Sequence, residues 1–266
     1  MEPELMKYPR TPPLAGSRLQ PGDEDLSQAA FSQIKGRHLV IEEKIDGANS
    51  AVSFGSEGEL LLQSRGHYLT GGYRERHYDL MKQWANVHRD SFYRILGKRY
   101  IMYGEWMYAK HSIYYDALPS YFMEFDIFDR EKGLFLDTPS RRELTEGMPV
   151  SSVPVLAQGE FRYMDQVLGC LAQSRFILEG HMERLREYCL KNGHDPEKRC
   201  GETDPDTMME GLYIKIEEGG CVAGRLKYVR ASFAQAVDQS GTHWIDRPIV
   251  PNGLAVPIES LFCPSF

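Results

Sequence analysis

Lys44-Ile45-Asp46-Gly47 is the stretch of this 266-residue sequence whose residue types and spacing best suit covalent chemistry. A lysine amine attacks only when neutral, and a free lysine near pH 7 is protonated. Activation requires desolvation or nearby positive charge, from a metal ion or from other basic side chains. In a strand, residues i and i+2 share a face, so Lys44 and Asp46 meet in one pocket if the strand runs that far. Gly47 then turns the chain. Four residues are a short signal, and a surface Lys–Asp pair at a hairpin would read the same.

Other reactive or charged groups are spread along the chain. Basic residues cluster at Lys98-Arg99, at Arg141-Arg142 and at Arg225, Lys227 and Arg230. Arg141-Arg142 follow Thr138-Pro139-Ser140, which reads as a helix start, and are expected on a solvated face. Lys110 to Tyr115 mixes basic and aromatic side chains, suited equally to stacking with phosphate contact or to an ordinary aromatic loop. Phe125 and Phe128 alternate with Asp126, so one of the two rings fits a core. His67 and His77 lack metal-ligand spacing. The five cysteines (170, 189, 200, 221 and 263) are odd in number and form no CxxC pair, which indicates neither a disulfide framework nor a zinc site.

Hydrophobic residues make up 42% of the chain and charged residues 26%, a globular composition. The net charge of −7 argues mildly against a protein held on nucleic acid by bulk electrostatics, but not against an enzyme gripping a few phosphates in a basic groove. No apolar run approaches the roughly 20 residues that span a bilayer. The Pro-rich start lacks a signal-peptide core. A soluble, cytoplasmic protein without a membrane partner is the expectation.

The elements that must carry these residues can be outlined. Residues 1–25 hold Pro3, Pro9, Pro12, Pro13 and Pro21 and are expected to form an extended arm. Residues 38–45, 51–54 and 60–63 read as strands, with a hairpin turn at 55–58. Residues 74–95 show helical spacing, with Tyr78, Met81, Ala85, Phe92 and Ile95 as buried candidates. Strand character returns at 100–108 and 121–128. Residues 162–193 are the most helical stretch and are expected to pack outside, followed by an exposed loop at 194–208. Strands resume at 211–216 and 224–229. The expected fold is α+β with antiparallel sheets, divided into the arm (1–25), a main domain (26–233, helical insert about 162–193) and a short C-terminal tail (234–266). The absence of GxGxxG argues against a Rossmann site.

Six segments occur in an order that resembles the covalent nucleotidyltransferases, and most closely their ATP-dependent RNA ligases. They are Glu43-Lys44-Ile45-Asp46-Gly47-Ala48-Asn49 (similar to EKxxGxN), Ser64-Arg65, Tyr103-Gly104-Glu105-Trp106, Phe125-Asp126, Glu210-Gly211-Leu212-Tyr213-Ile214-Lys215 and Arg225-Leu226-Lys227. The resemblance spans residues 39–230 and implies a nucleotidyltransferase domain whose antiparallel sheets flank an ATP cleft. It implies that Lys44 carries a covalent AMP and that 5′-phosphate and 3′-hydroxyl RNA ends are sealed through lysyl-AMP and AMP-capped RNA, as in RNA repair.

By the same resemblance, Lys44, Lys215 and Lys227 are the catalytic residues. Glu43, Asp46, Gly47, Asn49, Arg65, Glu105, Phe125, Glu210 and Arg225 bind the nucleotide, with Phe122 the alternative ring for adenine. Glu210, Asp46 and Glu105 are the candidates for Mg2+, with Mn2+ as a substitute, partly through waters. The partners implied are RNA ends, nicked or single-stranded, and an end-healing kinase or phosphatase, with the ligase itself a monomer. Many relatives read Lys-x-Lys where this chain has Arg225-Leu226-Lys227; arginine keeps the charge but presents a planar fork. Residues 231–266 are too few for an OB-fold domain, which weighs against a DNA ligase or a capping guanylyltransferase. A nucleic-acid-end binding module without catalysis is the remaining alternative.

Overall fold

A computed structural model describes residues 4–19, 23, 25–233 and 247–263. In chain order its elements are β1 (His38–Lys44), β2 (Ala48–Phe54), β3 (Leu60–Ser64), α1 (Asp79–Val87), α2 (Arg89–Leu96), β4 (Tyr100–Trp106) and β5 (Phe122–Asp129). There follow β6 (Leu134–Phe135), α3 (Thr138–Thr145), β7 (Ser151–Ser152), β8 (Val155–Glu160), α4 (Met164–Leu168), α5 (His181–Lys191), α6 (Pro196–Gly201), β9 (Gly211–Glu218) and β10 (Cys221–Val229).

The strands form two sheets. One has the antiparallel order β10-β9-β1-β8. The other runs β3-β2-β4-β5-β6, also antiparallel, with β7 added parallel to β5. The α+β class with antiparallel sheets is therefore as expected.

Alternation along β1 decides which side chains can reach a cleft. Leu39 and Ile41 enter a core with Leu212, Ile214 and Ile216 of β9 and Val167 of α4. The odd positions being spoken for, Glu42 and Lys44 point to the opposite face. The second sheet packs α1 and α2 through Trp84, which stacks on Phe122 with ring centroids 5.1 Å apart and planes at 24°.

Two glycines of the sequence segments have a steric reason to be there. A Cβ on Gly211 would lie 1.9 Å from the Tyr228 carbonyl oxygen, so β9 and β10 close only with glycine at that position. A Cβ on Gly47 would lie 2.6 Å from Met107 Sδ and 2.9 Å from the Trp106 carbonyl oxygen.

Several expectations need correction. The helix expected over 74–95 is a short 3-10 turn (Tyr73–Tyr78) followed by α1 and α2, which break at His88. At the break, the buried His88 ring binds the Leu261 carbonyl oxygen through Nε2 at 2.7 Å. Leu96, not Ile95, is the buried residue at the end of α2. The helical 162–193 stretch contains two helices, α4 and α5, separated by a non-helical segment. Between them Ser174 N binds the Thr207 carbonyl, Leu178 N binds Asp116, and Gly180 adopts φ +80°.

Residues 194–208 are not an exposed loop. Asp195 caps α6 by accepting from Lys198 N at 3.0 Å, Pro196 follows at the first helical position, and Arg199, Glu202, Thr203 and Asp204 are buried. Arg141 is not on a solvated face either; it is fully buried.

The described part of the arm follows the helix-free course its prolines predict, and it lies on the first sheet. Lys227 N donates to the Pro12 carbonyl at 3.0 Å and Leu14 N donates to the Lys227 carbonyl at 2.8 Å, along the outer edge of β10. At the other end of the chain, Asn252 binds Tyr115 N and the Met107 carbonyl. The remaining tail positions, 234–246 and 264–266, lie outside the described residues. No helix among the described residues is long and apolar enough to cross a membrane.

Candidate active site

A cleft opens between the two sheets, and Lys44 stands in it at the last residue of β1. Register explains its partner. Lys44 pairs with Gly211 across β1 and β9, so Glu210 lies one residue beyond the paired position. The Lys44 amine is 2.6 Å from Glu210 Oε2; the lysine side chain is 20% exposed and the glutamate is fully buried. Burial opposes the charge on Lys44, but Glu210, then Asp46 and Glu105, outweigh it and raise the pKa. The amine therefore rests as an ammonium, and its attack requires that this carboxylate field be offset.

The other sequence-nominated residues divide into those that reach the cleft and those that do not. Glu43, Asn49, Arg65, Glu105, Phe125 and Lys227 line it with Lys44. Asn49 and Glu105 are directly paired across β2 and β4. Burial, with Asp46 and Glu210 nearby, pushes the Glu105 carboxyl up to about 8 against the pull of Lys44. Burial likewise raises Glu43 to about 7, against Ser174 and Arg175. Arg65 is exposed at the rim. Lys227 pairs with Asp23 at 2.8 Å, and burial lowers its pKa although Asp23 opposes that shift. Of the two candidate rings, Phe125 is half-buried in the cleft wall while Phe122 is fully buried against Trp84.

Asp46, Gly47, Glu210, Lys215 and Arg225 stand apart from the cleft lining, Glu210 meeting it through its contact with Lys44. The strand ends at Lys44, so the same-face argument for Asp46 stops short. Asp46 Oδ2 instead accepts from Ser112 N at 2.7 Å and Ile113 N at 3.1 Å. This carboxylate anchors the 110–115 segment, all of whose residues are buried, and its influence on Lys44 is Coulombic. Of the two readings of 110–115, that burial favours the ordinary aromatic loop over a phosphate-contacting one. Lys215 is fully buried, 2.9 Å from Glu42 and 3.3 Å from Asp126, with a short hydrogen bond to the Phe125 carbonyl. Arg225 is 2.9 Å from Asp126 and its guanidinium lies 3.9 Å from the Phe135 ring centre.

Lys215 and Arg225 belong to a buried ionic layer beneath the cleft that joins both sheets. Arg141 of α3 is 2.5 Å from Glu42 and 2.9 Å from Glu124. Three carboxylates (Glu42, Glu124, Asp126) thus meet three cations (Arg141, Lys215, Arg225). An isolated buried charge would be costly, and mutual pairing offsets that cost.

Sequence reasoning missed part of the lining. Tyr8, Pro9 and Thr11 come from the arm, and Tyr213 from β9. The period-2 rule would have placed Tyr213 on the face of Lys215; nothing local marked the arm residues.

Among the described residues no group of three or more His, Cys, Asp or Glu could hold a metal directly. Mg2+ commonly takes one or two carboxylates, with waters and substrate phosphates completing its shell. Glu105 and Glu210 offer hard oxygen donors, and the upward push on Glu105, due first to burial and then to the nearby Asp46 and Glu210, is one that a bound cation would oppose. The residues fit a largely hydrated cation rather than a closed protein cage.

Comparison with solved structures finds distant likenesses. An apo Naegleria gruberi RNA ligase mutant is 15% identical, with 75% of this chain and 51% of that chain covered and a TM-score of 0.49. An archaeal ATP-dependent RNA ligase is also 15% identical, with coverages of 86% and 49% and a TM-score of 0.48. A Naegleria gruberi RNA ligase mutant with AMP and Mn is 15% identical, with coverages of 76% and 52% and a TM-score of 0.46. The chain spans about half the length of these structures. No curated protein matches. The family model described as RNA ligase matches residues 37–229, which contain every strand of both sheets, and the chain accordingly belongs to the RNA ligase family.

Proposed function

We propose that this protein is an ATP-dependent RNA ligase that joins a 5′-phosphate to a 3′-hydroxyl through an AMP held on Lys44. The observation that carries the reading is the cleft-facing Lys44 amine, partly desolvated and 2.6 Å from the buried Glu210, with Lys227 also in the cleft wall.

In the first step the neutral Lys44 amine attacks the α-phosphorus of ATP; a P–N bond forms, the P–O bond to pyrophosphate breaks, and lysyl-AMP results. The AMP then passes to the 5′-phosphate of an RNA end, which restores the lysine. A 3′-hydroxyl attacks that activated end, forms the phosphodiester and releases AMP. Phe125 and Asn49 contact the nucleoside, a role their position in the cleft wall supports. Lys227 and Arg65 supply positive charge for phosphates, Arg65 by its bidentate fork. Lys215 and Arg225 act from beneath by holding Asp126 and the Phe125 strand.

Glu210 and Glu105 would hold the Mg2+, or Mn2+ in its place. Such a cation supplies charge stabilisation at the phosphates and shields Lys44 from the carboxylates that keep it protonated. Asp46 positions the segment behind the lysine.

The test is incubation with Mg2+ and ATP labelled on the α-phosphate, beside Lys44→Ala. Label surviving denaturing electrophoresis on the wild type alone is the expected result. Absence of label on both proteins, with GTP also tried and pre-bound AMP excluded by mass, would overturn the reading in favour of a binding module. Nicked RNA, nicked DNA, hybrid duplexes and single-stranded RNA then identify the acceptor; sealing of DNA alone would contradict an RNA substrate.

A further inference from the structure

Residues 4–19 carry no segment associated with nucleotide chemistry, yet Tyr8, Pro9 and Thr11 form part of the cleft wall. Tyr8 is buried. Its ring meets Phe125 edge-on, with centroids 5.1 Å apart and planes at 77°. It also packs on Tyr103 at 5.1 Å and Phe135 at 5.7 Å. Its hydroxyl donates to Asp126 Oδ2 at 2.5 Å, lies 2.5 Å from the Tyr213 hydroxyl and accepts from Arg225 Nε at 2.8 Å. Thr11 Oγ1 is 3.2 Å from the same Tyr213 hydroxyl.

Tyr8 therefore touches both other aromatic rings of the cleft. Phe125 and Tyr213 face the cleft from opposite sheets, with centroids 6.3 Å apart. A flat ring stacking on either gains most when that platform is already held still, because ordering it on binding costs affinity. Phe125 is only half-buried, and the Tyr8 edge is the contact that fences its rotation from the arm side.

We propose that Tyr8 is a positioning residue for the nucleotide base, so that the N-terminal arm is a structural part of the ATP site. The proposal rests on the adenylylation reading above. Tyr8 sets the orientation of Phe125 by ring contact and that of Tyr213 by its hydroxyl, and takes no part in the chemistry at phosphorus.

The experiment is single-turnover labelling of the full chain over a range of ATP concentrations, for wild type, Tyr8→Phe and Tyr8→Ala. Tyr8→Ala is expected to raise the ATP concentration for half-maximal rate about ten-fold, leaving the saturating rate within about two-fold. Tyr8→Phe, which keeps the ring contact with Phe125 but loses the hydroxyl contact with Tyr213, is expected to raise that concentration about two- to four-fold, less than Tyr8→Ala. Inorganic tripolyphosphate, which lacks a base, should compete equally well against wild type and Tyr8→Ala.

An unchanged half-maximal concentration in Tyr8→Ala overturns the proposal. So does a loss confined to the saturating rate, or a parallel loss of tripolyphosphate competition, which would mark a general collapse of the cleft. Should Tyr8→Ala unfold at the assay temperature, Tyr8→Leu fills the space without an aromatic edge and reads the same split. A wild type that forms no lysyl-AMP would instead sink the underlying adenylylation reading, an outcome that does not depend on any Tyr8 variant.

Discussion

Arg141→Met removes one charge from the centre of the buried ionic layer while filling most of the side-chain volume. Glu42 keeps Lys215 at 2.9 Å, and among the described residues Glu124 keeps the Ser152 hydroxyl, at 2.8 Å, as its direct side-chain partner. Glu124 is thus the carboxylate left without a cation in contact. Breaking a buried ion pair by deleting one partner costs about 3–5 kcal/mol, whereas a substitution on a solvated helix face stays within about 0.5 kcal/mol. Urea unfolding near neutral pH separates the two cases.

The pH dependence of that deficit is a second, independent reading. Burial already raises the Glu124 pKa in the wild type, opposed by Arg141 and Lys215. Without Arg141 it rises further. A carboxyl whose folded pKa exceeds its unfolded value of about 4.3 binds its proton more tightly when folded. Stability is then present at low pH and lost as pH climbs through the folded pKa. The deficit of Arg141→Met should be largest at neutral pH and shrink on acidification towards about pH 5. A deficit below about 1 kcal/mol, or one that does not vary with pH, would refute the account of a charge-balanced layer.

Further outcomes follow from the cleft and its walls. Glu210→Gln removes the partner that raises the Lys44 pKa, so the pH–rate profile of lysyl-AMP formation should move to lower pH even as the maximum rate falls; a profile that stays in place would mean that Glu210 does not govern the amine. Phe125→Ala should raise the ATP requirement with little loss of melting temperature. Phe122→Ala, by contrast, should cost about 3–5 kcal/mol in chemical denaturation, and equal behaviour of the two would contradict their assignment to cleft and core. Gly211→Ala forces a Cβ to 1.9 Å from the Tyr228 carbonyl oxygen, so calorimetry should show a melting temperature lower by several degrees, equivalent to about 1–3 kcal/mol.

Much of the frame could be read before any coordinates. Strand alternation and the turn at Gly55–Gly58 placed β1, β2 and β3 with their boundaries shifted by only a few residues. Those signals are local, and local geometry is what a sequence reports best. Lys44, Asn49, Glu105, Phe125 and Lys227, nominated by the family resemblance, all line one cleft.

What escaped depends on contacts between distant segments. Arg141 looks like any exposed helical arginine until Glu42 and Glu124, 99 and 17 residues away, close around it. Asp46 looked like a cleft residue because a period of two was carried one step beyond the end of its strand. α6 did announce itself, through Asp195-Pro196, but the surrounding polarity masked a helix that tertiary packing buries. Tyr8 gave no sign at all, since a tyrosine among prolines becomes part of a cleft only when the chain folds back on itself.

The pairing of residues 12–14 with Lys227 has a consequence for self-association. β10 is an outer strand, and an outer strand with free N–H and C=O groups is a template for a second chain. The arm occupies that margin at Lys227, and it does so with Pro12 and Pro13, which have no N–H to offer a further strand. Removing the arm would therefore do more than open the cleft; it would bare a hydrogen-bonding rim that the prolines now blunt. A chain starting after Pro13 should scatter light and sediment as larger species at concentrations where the intact chain does not, whether or not nucleotide is present.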